Sequence, residues 1–347
     1  MRSGAQRNNV LLFGERSHLR RTLSIVIPFF NEAPNVEALL TALEAFVREA
    51  EAAWPIKIDI VLVDDGSTDG GGARFEAAVI GMPRAMDVRL LRLSRNFGKE
   101  AALTAGLTTV DTDAVVMMDA DLQHPPHVIH SFLAGWLDEG FDVVHAIPDE
   151  RRRQSWLRKA ARNAFYKVVN IDSSVPLVPD ATDFRLLSRR AYQALKQLGE
   201  RQRLMKGLYS WIGFRQKCIS FVVPDRQAGT TKYSRRKIWA LGVNGLTGFS
   251  VAPLRMATLA GALLALLSVG YALATAFATL ILGATTHGYP TIVCSILLIG
   301  AAQMLLTGVV GEYIGQILIE VKQRPLFILE SEMHFPAKIA SRDASGA

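Results

Sequence analysis

The sequence has only two cysteines among its 347 residues, Cys218 and Cys294. Cys294 lies inside a long apolar run and Cys218 lies outside it, so we expect neither a disulfide nor a cysteine-based metal cluster. The sequence also contains neither a Gly-x-Gly-x-x-Gly motif nor a Gly-Lys-Ser/Thr loop. These absences argue against a dinucleotide-dependent oxidoreductase and against a P-loop ATPase.

Charged side chains are missing from 56 consecutive residues, 256–311, although charged residues make up 20% of the whole chain. A membrane-spanning helix needs about 20 apolar residues, and a turn-forming stretch at 283–290 divides this run in two. The pattern predicts two transmembrane helices at about 256–282 and 291–319. The alternative is a helical hairpin buried in a soluble core, which would need apolar residues around both helices.

Positive charges flank the apolar run on both sides, whereas the turn inside it has no Lys or Arg. The flanking residues are Arg235, Arg236, Lys237, Arg255, Lys322 and Arg324. This distribution predicts that both ends of the hairpin are cytoplasmic. The N-terminus lacks the long apolar core of a signal peptide, so we expect a multi-pass protein of the inner (cytoplasmic) membrane with its first 250 residues inside the cell.

The net charge of +7 suits an anionic membrane surface better than a nucleic acid, because many basic residues lie near the predicted membrane segments. Residues 157–169 show a basic amphipathic pattern typical of a helix lying on a bilayer. An ordinary helix packed on the domain fits the same pattern equally well. Residues 235–255 are predicted to be a second interfacial segment that leads into the first membrane helix.

The first 146 residues alternate short apolar runs with helical patterns, which is typical of a mostly parallel α/β sheet covered by helices. The predicted strands are Leu23–Phe29, Lys57–Val63, Val88–Leu93, Ala114–Met118 and Phe141–Ala146. Helices are predicted at about 35–53, 72–80, 98–110 and 126–139.

Polar residues follow the first, second and fourth of these strands, at the sheet edge where ligands bind in open α/β sheets. Asp119 and Asp121 leave the fourth strand as a pair of carboxylates, and Gln123 adds a neutral oxygen. These three residues can hold a divalent cation, Mg or Mn, that would neutralise a diphosphate leaving group. Asp64 and Asp65 end the second strand and suit a ribose or base contact. A solvated turn is the alternative interpretation for each pair.

Six segments, taken together and in order, resemble glycosyltransferase family 2. They are Ile27–Glu32, Val63–Ser67, Arg95–Lys99, Met118–Pro126, Asp183–Leu187 and Gly311–Gly315. More narrowly, they are similar to the polyprenyl-phosphate glycosyltransferases, which include bactoprenol glucosyltransferases and dolichol-phosphate mannose synthases. The resemblance covers about residues 22–329.

The resemblance implies a Rossmann-like GT-A domain on the cytoplasmic face, followed by the transmembrane hairpin. We therefore expect an N-terminal tail (1–21), a GT-A domain (22–234) whose acceptor-side segment is 147–234, the interfacial segment (235–255), two membrane helices (256–319) and a cytoplasmic C-terminal tail (320–347). The family also implies a possible homo-oligomer.

The resemblance assigns roles to individual residues. Those implied for the nucleotide-sugar are Pro28, Asn31, Glu32, Asp64, Asp65, Lys99, Asp119, Ala120 and Asp121. Asp119, Asp121 and Gln123 are implied for the metal, and Asp183 for the anomeric carbon. Candidates for the phosphates of donor and acceptor are Arg185, Arg203, Lys206, Arg226 and Lys232, each of which has a solvated surface charge as its alternative.

The implied reaction is inverting transfer of a hexose from a nucleotide-sugar, most simply a UDP-sugar, to undecaprenyl phosphate, giving a lipid-linked sugar for cell-envelope glycans. Thr182, Lys206 and the loop 230–234 depart from the family pattern, which leaves the acceptor loop and the sugar open. A GDP-mannose-dependent synthase, a processive polysaccharide synthase and a non-enzymatic nucleotide-binding scaffold are the alternatives. Nucleic-acid binding ranks last.

Overall fold

The computed structural model describes residues 20–82, 84–149, 182–201, 203, 205–222, 252–282 and 288–338. The predicted amphipathic stretch 157–169 and most of the interfacial segment 235–255 lie outside these residues, as do Arg226 and Lys232.

The described part of the chain forms an eight-stranded sheet in the order β7-β5-β6-β4-β1-β2-β3-β8. The strands are β1 Arg21–Phe29, β2 Ile56–Asp64, β3 Asp87–Leu93, β4 Ala114–Met117, β5 Val143–Pro148, β6 Arg185–Ser188, β7 Gln216–Phe221 and β8 Leu329–Phe335. The central strands β4, β1, β2 and β3 are parallel to one another, and β5 is parallel to β7. This arrangement confirms the predicted mostly parallel α/β fold.

Helices cover both faces of the sheet. The helices of the soluble part are α1 Val36–Ala53, α2 Gly71–Gly81, α3 Lys99–Thr109, α4 Val128–Leu137, α5 Arg189–Gln197 and α6 Met205–Trp211. One apolar core lies beneath α1, α2 and α4, and a second lies beneath α3, α5 and α6. Helix α3 packs so closely against β1 that a Cβ at Gly106 would lie 2.4 Å from Val26 Cγ1. The first turn of α3 is thereby held at the carboxyl edge of the sheet.

The five predicted strands and four predicted helices are all present, and their ends agree with the predictions to within two residues. Strand β5 is displaced by two residues at both ends, since it spans Val143–Pro148 rather than Phe141–Ala146. Apolar periodicity was sufficient here because these strands are buried and each is followed by an amphipathic helix or a turn.

Two antiparallel strands were not predicted. Strand β6 lies between β4 and β5 and runs antiparallel to both. Strand β8 lies in the segment predicted as a C-terminal tail, and it instead pairs antiparallel with the edge strand β3. Its contact with the sheet is extended by an Arg84–Lys338 bridge and by the Ala337 N–H, which donates to Asp87 at 2.8 Å. Residues 320–338 are therefore a folded part of the domain.

Two long helices, α7 Ala252–Leu282 and α8 Tyr289–Val321, form the C-terminal hairpin. Their apolar windows, Leu254–Thr275 and Leu298–Val321, are long enough to cross a membrane, and no part of either window is buried. A hairpin in a soluble core would cover these side chains, yet Leu280 is 82% exposed. The hairpin therefore indicates membrane association.

Candidate active site

The predicted nucleotide-binding loops come together at the carboxyl edge of the sheet. Asn31 lies just after β1 in a left-handed conformation (φ 56°), and its side-chain oxygen accepts a hydrogen bond from the Thr68 N–H at 2.8 Å. The Asn31 N–H donates to Ser67 Oγ at 3.0 Å. Glu32 accepts a hydrogen bond from Asn35 Nδ2 at 2.6 Å. The loops after β1 and β2 are thus joined by hydrogen bonds.

Asp64 and Asp65 are buried at the end of β2, with exposed fractions of 2% and 3%. Asp64 accepts a hydrogen bond from the Ser67 N–H at 2.8 Å. Asp65 accepts from the N–H groups of Phe97 at 2.8 Å and Gly98 at 2.9 Å. Burial raises the pKa of Asp65, although these two backbone donors lower it. In this structure Asp65 holds the loops after β2 and β3 together. The predicted contact of Asp64 and Asp65 with ribose or base stays a prediction.

The turn after β2 also has a steric requirement. Gly66 has φ +68°, and a Cβ there would lie 2.4 Å from the Arg95 carbonyl carbon. The two loops therefore pack backbone against backbone, which places Gly98 and the first turn of α3 next to the end of β2.

Lys99 lies between two carboxylates that come from distant parts of the chain. Its ammonium nitrogen is 2.6 Å from Asp119 Oδ1 and 2.9 Å from Asp183 Oδ2. Burial alone would lower the pKa of Lys99, but the two carboxylates outweigh it and raise the pKa. Burial likewise favours a raised pKa for Asp183, yet Lys99 outweighs it and lowers the pKa. Lys99 and Asp183 are therefore charged at neutral pH.

The loop 119–124 leaves β4 in a fixed conformation. The Gln123 N–H donates to Asp121 Oδ1 at 3.1 Å, Leu122 has φ 60°, and Ala120 is buried. The Asp119 N–H donates to His124 Nδ1 at 2.9 Å, and the His124 ring stacks on Phe184 with centroids 4.7 Å apart. Burial lowers the pKa of His124, so its ring is neutral and can accept this bond. The sequence did not indicate this role for His124.

Asp119, Asp121 and Gln123 offer the oxygen ligands that a hard divalent cation prefers, and their role as metal ligands stays a prediction. Among the described residues no group of three His, Cys, Asp or Glu side chains lies close enough to hold a metal. Magnesium is commonly bound by one or two carboxylates, with waters and substrate phosphates completing the coordination. The side chain of Asp119 is 30% exposed, so its carboxylate can reach such an ion.

The predicted phosphate ligands occupy different environments. Arg185 is buried, its guanidinium carbon lies 3.6 Å from the Tyr209 ring centroid, and it donates to the Thr182 carbonyl. Arg203 donates to the Leu198 and Glu200 carbonyls and lines a cavity of about 230 Å³ beside Phe327. For both residues the predicted contact with a phosphate stays a prediction. Lys206 is exposed on α6, and its charge lowers the pKa of Asp183. Pro28 is buried within β1, opposite Val63.

Comparisons with known proteins agree with this fold. Residues 24–196 match the family described as Glycosyl transferase family 2, and residues 252–317 match the GtrB C-terminal hairpin. The chain is 38% identical to the uncharacterised glycosyltransferase sll0501 of Synechocystis sp., over 88% of this chain and 94% of that protein. It is 37% identical to the bactoprenol glucosyl transferase of Shigella phage SfV, over 89% of this chain and 98% of that protein.

Among solved structures, the mannosyltransferase PcManGT of Pyrobaculum calidifontis, in complex with GDP-Man and Mn2+, matches with a TM-score of 0.42 and 18% identity. The match covers 88% of this chain and 87% of that one, but a similarity this low indicates neither substrate nor metal.

These sequence matches define the class, and the protein is a glycosyltransferase. The chain belongs to glycosyl transferase family 2 and ends in a GtrB-type hairpin.

Proposed function

We propose that the protein transfers glucose from UDP-glucose to undecaprenyl phosphate, with inversion at the anomeric carbon, on the cytoplasmic face of the membrane. The observation that carries this proposal is the relation to bactoprenol glucosyl transferases over both parts of the chain, the catalytic domain and the hairpin. A lipid acceptor also explains why a soluble sugar-transfer domain is joined to two apolar helices. The basic residues Lys322 and Arg324 after α8 favour a cytoplasmic location for that end.

In the proposed reaction an oxygen of the lipid phosphate attacks the anomeric carbon, and the bond from that carbon to the diphosphate breaks. The bonding electron pair leaves with UDP. Because the second pKa of a phosphate monoester is about 6, the nucleophile is mostly ionised at neutral pH and needs no strong base. Positioning and charge stabilisation therefore carry the catalysis.

Asp183 is suited to stabilising positive charge, since Lys99 lowers the pKa of its carboxyl and keeps it ionised. A carboxylate beside the anomeric carbon stabilises the positive charge that develops there. Asp119, Asp121 and Gln123 would hold a divalent cation, Mg or Mn, which would neutralise the charge of the diphosphate when bound. Lys99 would meet the donor phosphates at the same place, because it already lies against Asp119.

The test is nucleotide release by the full-length protein in detergent, with undecaprenyl phosphate and a panel of UDP-glucose, UDP-N-acetylglucosamine and GDP-mannose. We expect UDP release from UDP-glucose that requires both the lipid and a divalent cation, together with a glucosylated lipid. The variant Asp183→Ala is the control for contaminating activity. Release of GDP from GDP-mannose would instead establish a mannose synthase, and no lipid-dependent release from any donor would contradict the proposal.

A further inference from the structure

Glu100 is a buried acid that the proposed reaction does not yet use. It is the second residue of α3, directly after Lys99, and its carboxyl accepts a hydrogen bond from the backbone N–H of Met205 at the start of α6. Its Oε2 atom is fully buried and has no hydrogen-bond partner among the described residues. Glu100 could not be singled out from the sequence, because a Glu in the first turn of a helix is common.

Asp183, like Glu100, has a buried carboxylate oxygen without a hydrogen-bond partner among the described residues. Its Oδ2 is held by Lys99, whereas its Oδ1 is buried and also lacks a partner within the described part of the chain. The two acids are close enough for the charge of Asp183 to raise the pKa of Glu100. A buried acceptor without a donor costs about 1–3 kcal/mol, so two such oxygens in one cluster call for an explanation.

The charged and titratable groups facing Glu100 come from three sides. They are Lys99 on α3, Asp183 and Arg185 at the start of β6, and Arg203, Lys206 and Tyr209 on and just before α6. Lys99 already forms ion pairs with two carboxylates. Arg185 already contacts the Tyr209 ring and donates to the Thr182 carbonyl. Burial, followed by the charge of Asp183, raises the pKa of Glu100 to about 8. At neutral pH this carboxyl therefore carries a proton that it can donate.

We propose that Glu100 is a positioning residue for the glycosyl transfer: its protonated Oε2 donates a hydrogen bond to Asp183 Oδ1 and fixes the carboxylate that faces the sugar. A single shared proton satisfies both unpartnered oxygens. With Lys99 on Oδ2 and Glu100 on Oδ1, neither oxygen of Asp183 is free to rotate away from the anomeric carbon. This inference rests on the proposed function for the role of Asp183.

Two variants separate this role from simple packing. Glu100→Gln keeps the size of the side chain and a neutral donor, so it retains most of the turnover at neutral pH. Glu100→Ala removes the donor and lowers kcat by about 10- to 100-fold, because misplacing a reacting group by about 1 Å has an effect of that size. The substitution Glu49→Gln on α1, where the side chain is 72% exposed, controls for a Glu-to-Gln change away from the site.

The decisive readout is the pH profile of UDP release by full-length protein in detergent. In the wild type, turnover falls as pH rises through about 8, because ionised Glu100 repels Asp183 instead of donating to it. The profile of Glu100→Gln lacks this alkaline limb, and Glu49→Gln behaves as the wild type. The proposal is overturned if Glu100→Gln is as slow as Glu100→Ala, or if its alkaline limb has the same midpoint as that of the wild type.

Thermal unfolding tests the hydrogen bond without relying on turnover, so it separates a failure of this inference from a failure of the proposed function. Burial and the charge of Asp183 raise the pKa of Glu100 from its ordinary value of 4.5 to about 8 in the folded protein. The stability that the proton provides is therefore complete below about pH 4.5 and is lost as pH rises from there to about 8. We expect the wild type to lose stability relative to Glu100→Gln between about pH 4.5 and 8, and a constant difference over this interval would overturn the proposal.

Discussion

Two pairs of aspartates lie at the same edge of the sheet, and they differ in what holds them. Asp64 and Asp65 are buried and accept hydrogen bonds from backbone N–H groups: Asp64 from Ser67 in its own loop, and Asp65 from Phe97 and Gly98 in the next loop. Asp119 and Asp183 are instead held by a side chain, the Lys99 ammonium. Backbone donors fix a carboxylate permanently, whereas a lysine can exchange its partners when a ligand arrives. The first pair therefore builds the site, and the second pair is available for chemistry.

The largest effect is expected from Asp183→Asn in the second pair. The amide keeps the shape of the side chain but removes the charge that we propose lies beside the anomeric carbon. We expect lipid-dependent UDP release to slow by about 10²- to 10³-fold, as for the loss of one preorganised stabilising group. The unfolding temperature should stay close to that of the wild type. A near wild-type rate would contradict an essential charge at this position.

Asp65→Ala should show the opposite pattern. It removes the acceptor of the Phe97 and Gly98 N–H groups, which then lie unpaired next to α3. We expect the free energy of unfolding to fall by about 1–3 kcal/mol, measured by denaturant titration. Turnover should fall only to the extent that the loss of these two hydrogen bonds displaces Lys99 at the start of α3. If Asp65→Ala were as stable as the wild type but as slow as Asp183→Asn, Asp65 would act in the reaction rather than in holding the loops. This result would contradict the division between the two pairs.

Lys99→Gln tests whether the second pair is held only by this ammonium. Without the Lys99 ammonium, the carboxylates of Asp119 and Asp183 have no positive charge between them. We expect the affinity for Mn²⁺ in the absence of donor, measured by electron paramagnetic resonance, to rise by about tenfold, the effect of roughly 1.4 kcal/mol of charge repulsion removed. Turnover should fall in the same variant.

The matched control for this substitution is Lys57→Gln. Lys57 pairs with Asp87 at 2.9 Å near the start of β2, away from the carboxyl edge. It should leave both Mn²⁺ affinity and turnover at wild-type values. An unchanged Mn²⁺ affinity in Lys99→Gln would mean that Lys99 does not occupy the cation's surroundings.

The predictable part of the molecule is the part governed by local pattern. Strands β1 to β5 and helices α1 to α4 follow from apolar periodicity, and the polar residues after β1, β2 and β4 follow from where parallel strands end. The apolar hairpin follows from the missing charges in 256–311. The family resemblance then identified Asp183, which has no local signal of its own.

The rest depends on contacts between distant segments. Strand β6 has four residues and no alternation, because all four are buried, including Arg185. Strand β8 exists only because the chain after the hairpin returns to the β3 edge. The arrangement of Lys99 between Asp119 and Asp183 joins residues up to 84 positions apart, and the unpartnered Glu100 oxygen becomes visible only when α6 covers it. The predicted contacts of Arg185 and Arg203 with phosphate stay predictions, and the burial of Arg185 could not be inferred from its position in the sequence.

The proposed reaction is direct displacement onto a lipid phosphate, and the anomeric configuration of the product is its most direct test. Full-length protein would convert UDP-α-glucose and undecaprenyl phosphate to product, and nuclear magnetic resonance would report the configuration of the sugar–phosphate bond. Direct displacement predicts a β-linked glucosyl phosphate, formed by one inversion at the anomeric carbon. An α-linked product would contradict direct displacement, because retention of configuration requires a second displacement.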